Sequence, residues 1–411
     1  MANAILPRRG GGYATVELEN YGEGTFSKGM ATDFDEDKSS VGATTVGDYA
    51  LFVGGYISGG NASTAYAYNS NLTRSKLTSL GTGRYNMGVT TVGNYALFGG
   101  GYINGGNPNH TAIVDTYSSG LVKGTATNLS ISRSGLAATT VGDYALLGGG
   151  TNSNNSIYAT VDVYNSSLTR STATSLSQTR TSAVATTVGN YALFAGGYGD
   201  SSWNECDTVD AYNSNLARST PTGLSVAKTR FAATTVGNYA LFGGGEDPNG
   251  GFCSNVDAYN SNLVRSTPAE LSSAKIDFDA TTVGNYALFG GGREKATSGY
   301  NYSNVVDVYN SSLTRSNASN LSYGRDSLAA TTVGNYALFG GGATPTISDE
   351  NESRVDYYKL TYKDQLFTVY KGSKYKFQNM TAEATATSNV ESISIPAPVT
   401  GYIKFKNTTI S

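Results

Sequence analysis

Histidine and cysteine are nearly absent: His110, Cys206 and Cys253 are the full complement in 411 residues. One imidazole cannot build a His-rich metal centre, so no metal or other cofactor is expected, and any imidazole catalysis would depend on that residue alone. The cysteines occupy equivalent places in neighbouring repeats, six residues before Tyr212 and Tyr259. Equivalent positions on packed sheets lie roughly 10 Å apart, whereas a disulfide needs Cα atoms within ~7 Å. A bridge is therefore the less favoured reading.

Charge is sparse as well, at 14% of residues with a formal net of -3. No basic patch is dense enough to meet a phosphate backbone, which argues against a nucleic-acid partner. Residues 1–20 hold no apolar core of signal-peptide length, and nothing further along approaches a spanning run. The expectation is synthesis in a cytoplasm without membrane insertion.

What the chain does have is repetition. The segment Thr-Val-Gly-(Asn/Asp)-Tyr-Ala-Leu returns seven times, with its tyrosine at Tyr49, Tyr95, Tyr144, Tyr191, Tyr239, Tyr286 and Tyr336, 46 to 50 residues apart. A period of that length signals a closed ring or an array of supersecondary units. Within residues 182–225, the β-branched run to Val188 reads as strand A and Tyr191-Ala-Leu-Phe as strand B. Gly189-Asn190 between them forms a two-residue hairpin turn. Val209 to Tyr212 reads as strand C, Asn213 to Asn215 as a turn and Arg218 to Leu224 as strand D. Strands A and B are apolar on both faces, so each sheet must lie between two others, the position of a propeller blade.

Strand A, a hairpin, a strand B ending in a glycine doublet (Gly196-Gly197, Gly244-Gly245, Gly291-Gly292) and a Tyr-bearing strand C resemble the kelch repeat. The resemblance covers roughly residues 25–362 and implies an all-β, seven-bladed kelch-like β-propeller. Kelch repeats usually carry a tryptophan in strand D; here Ser171 or Ser219 stands near that place. The glycines are not read as a phosphate cradle, because no helical pattern follows them.

Strand C tyrosines occur seven times (Tyr68, Tyr117, Tyr164, Tyr212, Tyr259, Tyr309, Tyr358), but strand D follows only the first six. The missing strand is expected at the other end of the chain. A strand D leucine lies twelve residues before a basic residue, as with Leu72 and Arg84 or Leu168 and Arg180, and Phe26 and Lys38 keep that offset. Residues 25–34 are therefore expected to close the ring, leaving no sheet edge at the seam. One basic residue per repeat (Lys38, Arg84, Arg133, Arg180, Lys228, Lys275, Arg325) and a strand C acid in six repeats (Asp115, Asp162, Asp210, Asp257, Asp307, Asp356) read as pairing that supports the blades rather than as a ligand ring.

The A–B and C–D turns scarcely vary, whereas the B–C connection differs in every repeat. Antiparallel geometry puts all the B–C loops on one face, and loops on a rigid scaffold are where binding residues sit. Candidate ligand-binding residues there are Tyr56, Tyr102, His110, Tyr158, Tyr198, Trp203, Glu246, Asp247, Phe252, Arg293, Tyr300 and Tyr302. Aromatic rings with adaptable polar neighbours suit sugar or protein surfaces. No catalytic residue is assigned. Galactose oxidase, the kelch-like enzyme the resemblance brings up, needs several histidines and a modified Cys-Tyr pair at copper. A carboxylate pair among Asp200, Glu205, Glu246, Asp247, Asp349 and Glu350 would be the route to a polysaccharide-cleaving propeller enzyme.

Three regions are expected: an N-terminal arm with a short strand (1–24), the propeller (25–362) and a small β module (363–411), whose marginal core leaves two arrangements open: Thr15-Val-Glu-Leu-Glu adds a strand to it, or it leans on the propeller. Ser/Thr/Asn/Gly/Tyr-rich repeats with extra segments at both ends also resemble bacteriophage tail, fibre or decoration proteins. That resemblance implies a non-enzymatic virion protein binding a host-surface glycan or protein through the loop face and other virion proteins through its termini. The alternative is an extracellular adhesin or lectin on a bacterial surface.

Overall fold

The computed structural model describes residues 24–199, 202–344 and 351–362, together with the backbone strands of residues 14–17, 365–369, 374–377, 383–385, 391–395 and 402–406. Among the described residues there is no helix. Seven antiparallel four-stranded sheets form the blades of a β-propeller. Their A strands are Gly42–Val46, Gly88–Val92, Ala137–Val141, Val184–Val188, Ala232–Val236, Asp279–Val283 and Ala329–Val333, and each packs against the next until the last meets the first. The ring is closed.

Strands A and B form by the local rule expected of them. Gly189 takes φ +53°, and the two-residue loop registers Val188 against Tyr191. The glycine is required twice over, because a Cβ there would also lie 3.0 Å from that of Ser261 in the C–D turn of the next blade. The same contact recurs between Gly47 and Ser119, Gly93 and Ser166, and Gly237 and Ser311. The C–D turn is shaped by its asparagine: Asn213 Oδ1 accepts N–H bonds from Asn215 and Ala217 at 3.0 Å. Interlocking turns thus explain why this face varies so little from blade to blade.

Both faces of each sheet are core. Ala192, Phe194 and Tyr212 of blade four pack on Val141, Leu146 and Val163 of blade three. Leu193, Val209 and Ala211 pack on Ala240, Phe242 and Tyr259 of blade five. Each buried valine, leucine or phenylalanine among them contributes ~1.5–3 kcal/mol, and each alanine methyl less. Every strand C tyrosine also ties one blade to the one before it, as when Tyr212 OH donates to Thr174 O at 2.7 Å and Tyr259 OH to Thr222 O at 2.8 Å. Burial pushes these phenols well above their ordinary pKa. Near the axis, strand A threonines link successive blades, with Thr90 and Thr140 hydroxyls 2.9 Å apart, and likewise Thr139 and Thr187.

Two expectations require correction. Strand D is only Arg218–Ser219 in blade four and no longer than three residues in blades one to six, because the chain then climbs so that Leu224 can be buried and bond Asp207 O at 2.7 Å. Leu72 and Leu168, used above as strand D markers, lie in the C–D turn at φ near 60°. The offset that matters runs from the strand D cation: Arg74 to Arg84 and Lys28 to Lys38 are both ten residues. Lys28 belongs to Gly24–Met30, the outer strand of the seventh sheet beside Val355–Tyr362. Hydrogen bonds from Ala31 N to Val355 O and from Phe34 N to Ser353 O, both 2.9 Å, carry the pairing on to residue 34.

The recurrent charges are paired inside the blades. Arg133 lies 2.7 Å from Asp162, which also takes Arg170 at 2.9 Å. Arg84 with Asp115, Arg180 with Asp210, Lys275 with Asp307 and Arg325 with Asp356 repeat the plan. Blade one breaks it, since Tyr66 stands where the acid should be.

The terminal segments form strands of their own. Ala14–Glu17 pairs with Tyr402–Lys406, which pairs in turn with Lys374–Phe377, and Gln365–Val369 pairs with Glu391–Ile395.

Candidate ligand-binding face

The variable B–C connections are built as hairpins, each braced by the residue that lies three places before strand A of its own blade. Ser39 bridges Tyr56, Tyr85 bridges Tyr102, Ser134 bridges Thr151 and Thr229 bridges Glu246. Blades four and six extend this to three-stranded sheets, Arg180–Thr181 with Tyr198–Gly199 and Asn204–Glu205, and Lys275–Ile276 with Arg293–Lys295 and Tyr300–Tyr302. The varied sequences therefore start from a repeated, rigid rung.

Immediately after the bracing residue comes one with left-handed backbone: Ser40, Asn86, Gly135, Ser182, Arg230, Asp277 or Ser327. These join head to tail from blade to blade. Ser182 N donates to Gly135 O at 2.9 Å, Asp277 N to Arg230 O at 3.0 Å, Ser327 N to Asp277 O and Ser40 N to Ser327 O at 2.8 Å. Only blades five and six put charge on this circle. The Arg230 guanidinium grips Asp277 at both oxygens, through Nε at 2.9 Å and Nη2, and reaches Glu246 at 3.0 Å. Arg293 bridges Asp277 and Asp326, both at 2.5 Å. Burial raises Asp326 to about 6 against the pull of Arg293. Burial works to lower Arg230, but the bonds and charges of Asp277 and Glu246 outweigh it and hold the guanidinium above its ordinary value.

Aromatic rings flank this network. Tyr198 meets Trp203 edge-on at 5.8 Å, and its phenol is raised by burial and then by Glu246. Phe252 stacks on Tyr300 at 5.8 Å and 4°, with the Arg293 guanidinium 5.4 Å from the Tyr300 ring. Tyr302 pairs with Arg293 in the hairpin ladder. Trp203 is 41% exposed and Tyr300 53%. Two outward rings and five interlocked charges thus share the sector of blades four to seven.

No protein-family model matches the chain, and no curated protein sequence does. Solved structures do: 506 chains match, among them YjhT, 13% identical, covering 81% of this chain and 99% of its own, with a TM-score of 0.55. At that identity the likeness is one of fold.

The other candidate residues play different parts. Tyr56, Tyr85, Tyr102 and His110 form a row of ring contacts 5.1–5.5 Å apart, edge-on at both ends and tilted between Tyr85 and Tyr102. His110 is 6% exposed, and burial lowers its pKa, so it props the hairpins as a neutral ring. Half-buried Tyr158 accepts a bond from Asn152 Nδ2 at 2.7 Å. Asp247 shapes its own hairpin tip, accepting N–H bonds from Asn249 and Gly251. Asp200, Asp349 and Glu350 lie outside the described residues. Glu246 is committed to Arg230, so it is not a free partner for a carboxylate pair. Among the described residues no cluster of three or more His, Cys, Asp or Glu side chains is placed to hold a metal, and both cysteines are free thiols.

Sequence reasoning missed Arg230, Asp277 and Asp326. For Arg230 and Asp277 the available signal was the place two residues after the recurrent base, which reads Ser, Asn, Gly, Ser and Ser in the other blades and Arg and Asp in blades five and six; Asp326 stands one residue after its base, where the other blades carry Ser, Tyr, Ser, Thr, Thr and Ile.

Proposed function

We propose that this chain is a non-enzymatic binding protein of a phage particle, a propeller of kelch-type repeats that holds a host-surface glycan or protein on its hairpin face. The observation that supports it most is the contrast between the two faces. One is locked by nearly uniform, interdigitating turns, and the other carries a different sequence on each of seven rigid rungs, with Trp203 and Tyr300 turned outward. Divergence on a pre-organised base lets recognition change without loss of fold. The principal contact sector is Tyr198, Trp203, Phe252 and Tyr300 around the Arg230–Asp277–Arg293 network.

Surface binding by labelled protein tests this. Trp203→Ala with Tyr300→Ala should weaken attachment to host cells by at least about tenfold, since truncating an aromatic anchor costs ~1–3 kcal/mol. Ser214→Ala, in the opposite face's turn, should leave it unchanged. The reverse pattern would place recognition on the other face.

The terminal segments fit the same reading as an attachment device, because Ala14–Glu17 and Tyr402–Lys406 bring both ends of the chain into one sheet. Deleting residues 363–411 is expected to give a folded propeller that fails to co-sediment with particles. Normal incorporation of the truncated chain would remove the anchoring role.

A further inference from the structure

Away from the aromatic sector, the hairpins of blades two and three, with Ile131 and Ser132 between them, line an open groove of about 570 Å³, within the ~300–1,000 Å³ usual for small-ligand sites. Its polar lining is Asn107, Asn109, Asn152, Asn154, Ser132 and Ser153, with no charged residue. We propose that this groove is a second binding site, for a neutral saccharide.

The groove's base is pre-organised. Asn109 donates to Tyr102 OH at 3.2 Å and lies 2.8 Å from His110 Nδ1, which also reaches Ser153 Oγ at 3.2 Å, so one buried imidazole joins the two hairpins. Asn152 donates to Tyr158 OH while its Oδ1 accepts the N–H groups of Asn154 and Ser156 at 3.0 Å. These partners fix two amides in orientation. The side chains of Asn107, Asn154 and Ser132 make no hydrogen bond among the described residues and remain open for a ligand.

An amide offers a donor pair and an acceptor side by side, and a hydroxyl offers both on one atom. That inventory matches adjacent sugar hydroxyls, each of which donates and accepts. Pro108 and Ile131 add apolar patches to the lining, suited to the C–H face of a pyranose. A carboxylated sugar would lose water from its charge and find no cation in the groove. A neutral hexose or N-acetylhexosamine unit loses nothing comparable. The site is separate from the Trp203–Tyr300 sector and stands whether or not that sector contacts a host.

Saturation-transfer NMR on the full chain tests the assignment, with lactose, N,N′-diacetylchitobiose and maltose as neutral probes, and glucuronate and N-acetylneuraminate as acidic ones. At least one neutral probe should give a transfer signal, with affinity lowered about tenfold or more in Asn154→Ala/Ser132→Ala, the scale of one or two lost hydrogen bonds. Ser132→Trp should block binding, and Trp203→Ala should leave it intact. Unchanged melting temperatures establish that the surface variants are folded. Absence of signal from every neutral probe, tighter binding of the acidic ones, equal binding to the groove variants, or a preference for an Asn- or Ser-rich peptide over all sugars would overturn the proposal.

Discussion

Arg133→Met is expected to lower unfolding stability by about 3 kcal/mol, the low end of the range for breaking a buried ion pair. The guanidinium is fully buried, 2.7 Å from Asp162 and 3.2 Å from Leu147 O. Removing it leaves a buried carboxylate supported only by Ser130 and the strand D cation Arg170. Adding Asp162→Asn should recover much of the loss, because no charge then remains buried.

Lys38→Met should behave in the opposite way. The ammonium has no strand C carboxylate; it lies 4.6 Å from the Tyr66 ring centroid, 4.8 Å from that of Phe34 and 3.1 Å from Thr64 Oγ1. Burial lowers its pKa to about 7, with Glu36 opposing. A lysine whose folded pKa lies below its unfolded value of 10.5 costs stability in full below pH 7, and that cost is relieved as pH climbs from 7 towards 10.5. The methionine variant should therefore match or exceed the native chain by about 1–4 kcal/mol at pH 6, with the gap closing at higher pH. Denaturant titrations at pH 6, 8 and 9.5 measure it. A Lys38→Met variant as damaged as Arg133→Met, with no pH trend, would show that blade one relies on its cation after all.

The contrast between these two residues also shows what was legible in the sequence. The recurring bases and acids were visible because a repeat displays its own regularities, whereas the replacement of the blade-one acid by Tyr66 was passed over and emerged from the strand register. Strand order, the Gly189-Asn190 turn and the apolar faces of Tyr191–Ala195 follow from periods that local chemistry sets. The candidate site was less readable. His110 and Tyr102 have the composition of binding residues, yet the structure spends them on one another and on Asn109, a packing outcome that no spacing encodes. Arg230, Asp277, Arg293 and Asp326 lie up to 96 residues apart in sequence. They meet only because the left-handed residues link blade to blade around the axis.

Ring closure carries the second large effect. Deleting residues 1–30 removes the outer strand Gly24–Met30 and, with it, the Lys28 contact to Asp356 at 3.3 Å. Val355–Tyr362 then becomes an open edge with a row of unpaired N–H and C=O groups, the template on which strands of other chains add. Losing one of four strands in a blade should lower the melting temperature by on the order of 10 °C, taking ~2 °C per kcal/mol for a large domain. The truncated chain should also self-associate as its concentration rises. A synthetic peptide of residues 24–34 offers the decisive arm, because it restores the missing strand without a covalent link. Supplied in excess it should raise the melting temperature and suppress association, while the same peptide with Lys28→Glu, which sets a like charge against Asp356, should do neither. A truncated chain that melts like the native one and stays monomeric, or that ignores the peptide, would show that the seam is held by the A strands alone. Restoration would instead place the closure in the pairing of the two ends of the chain, with the inner strands insufficient to keep the last blade shut.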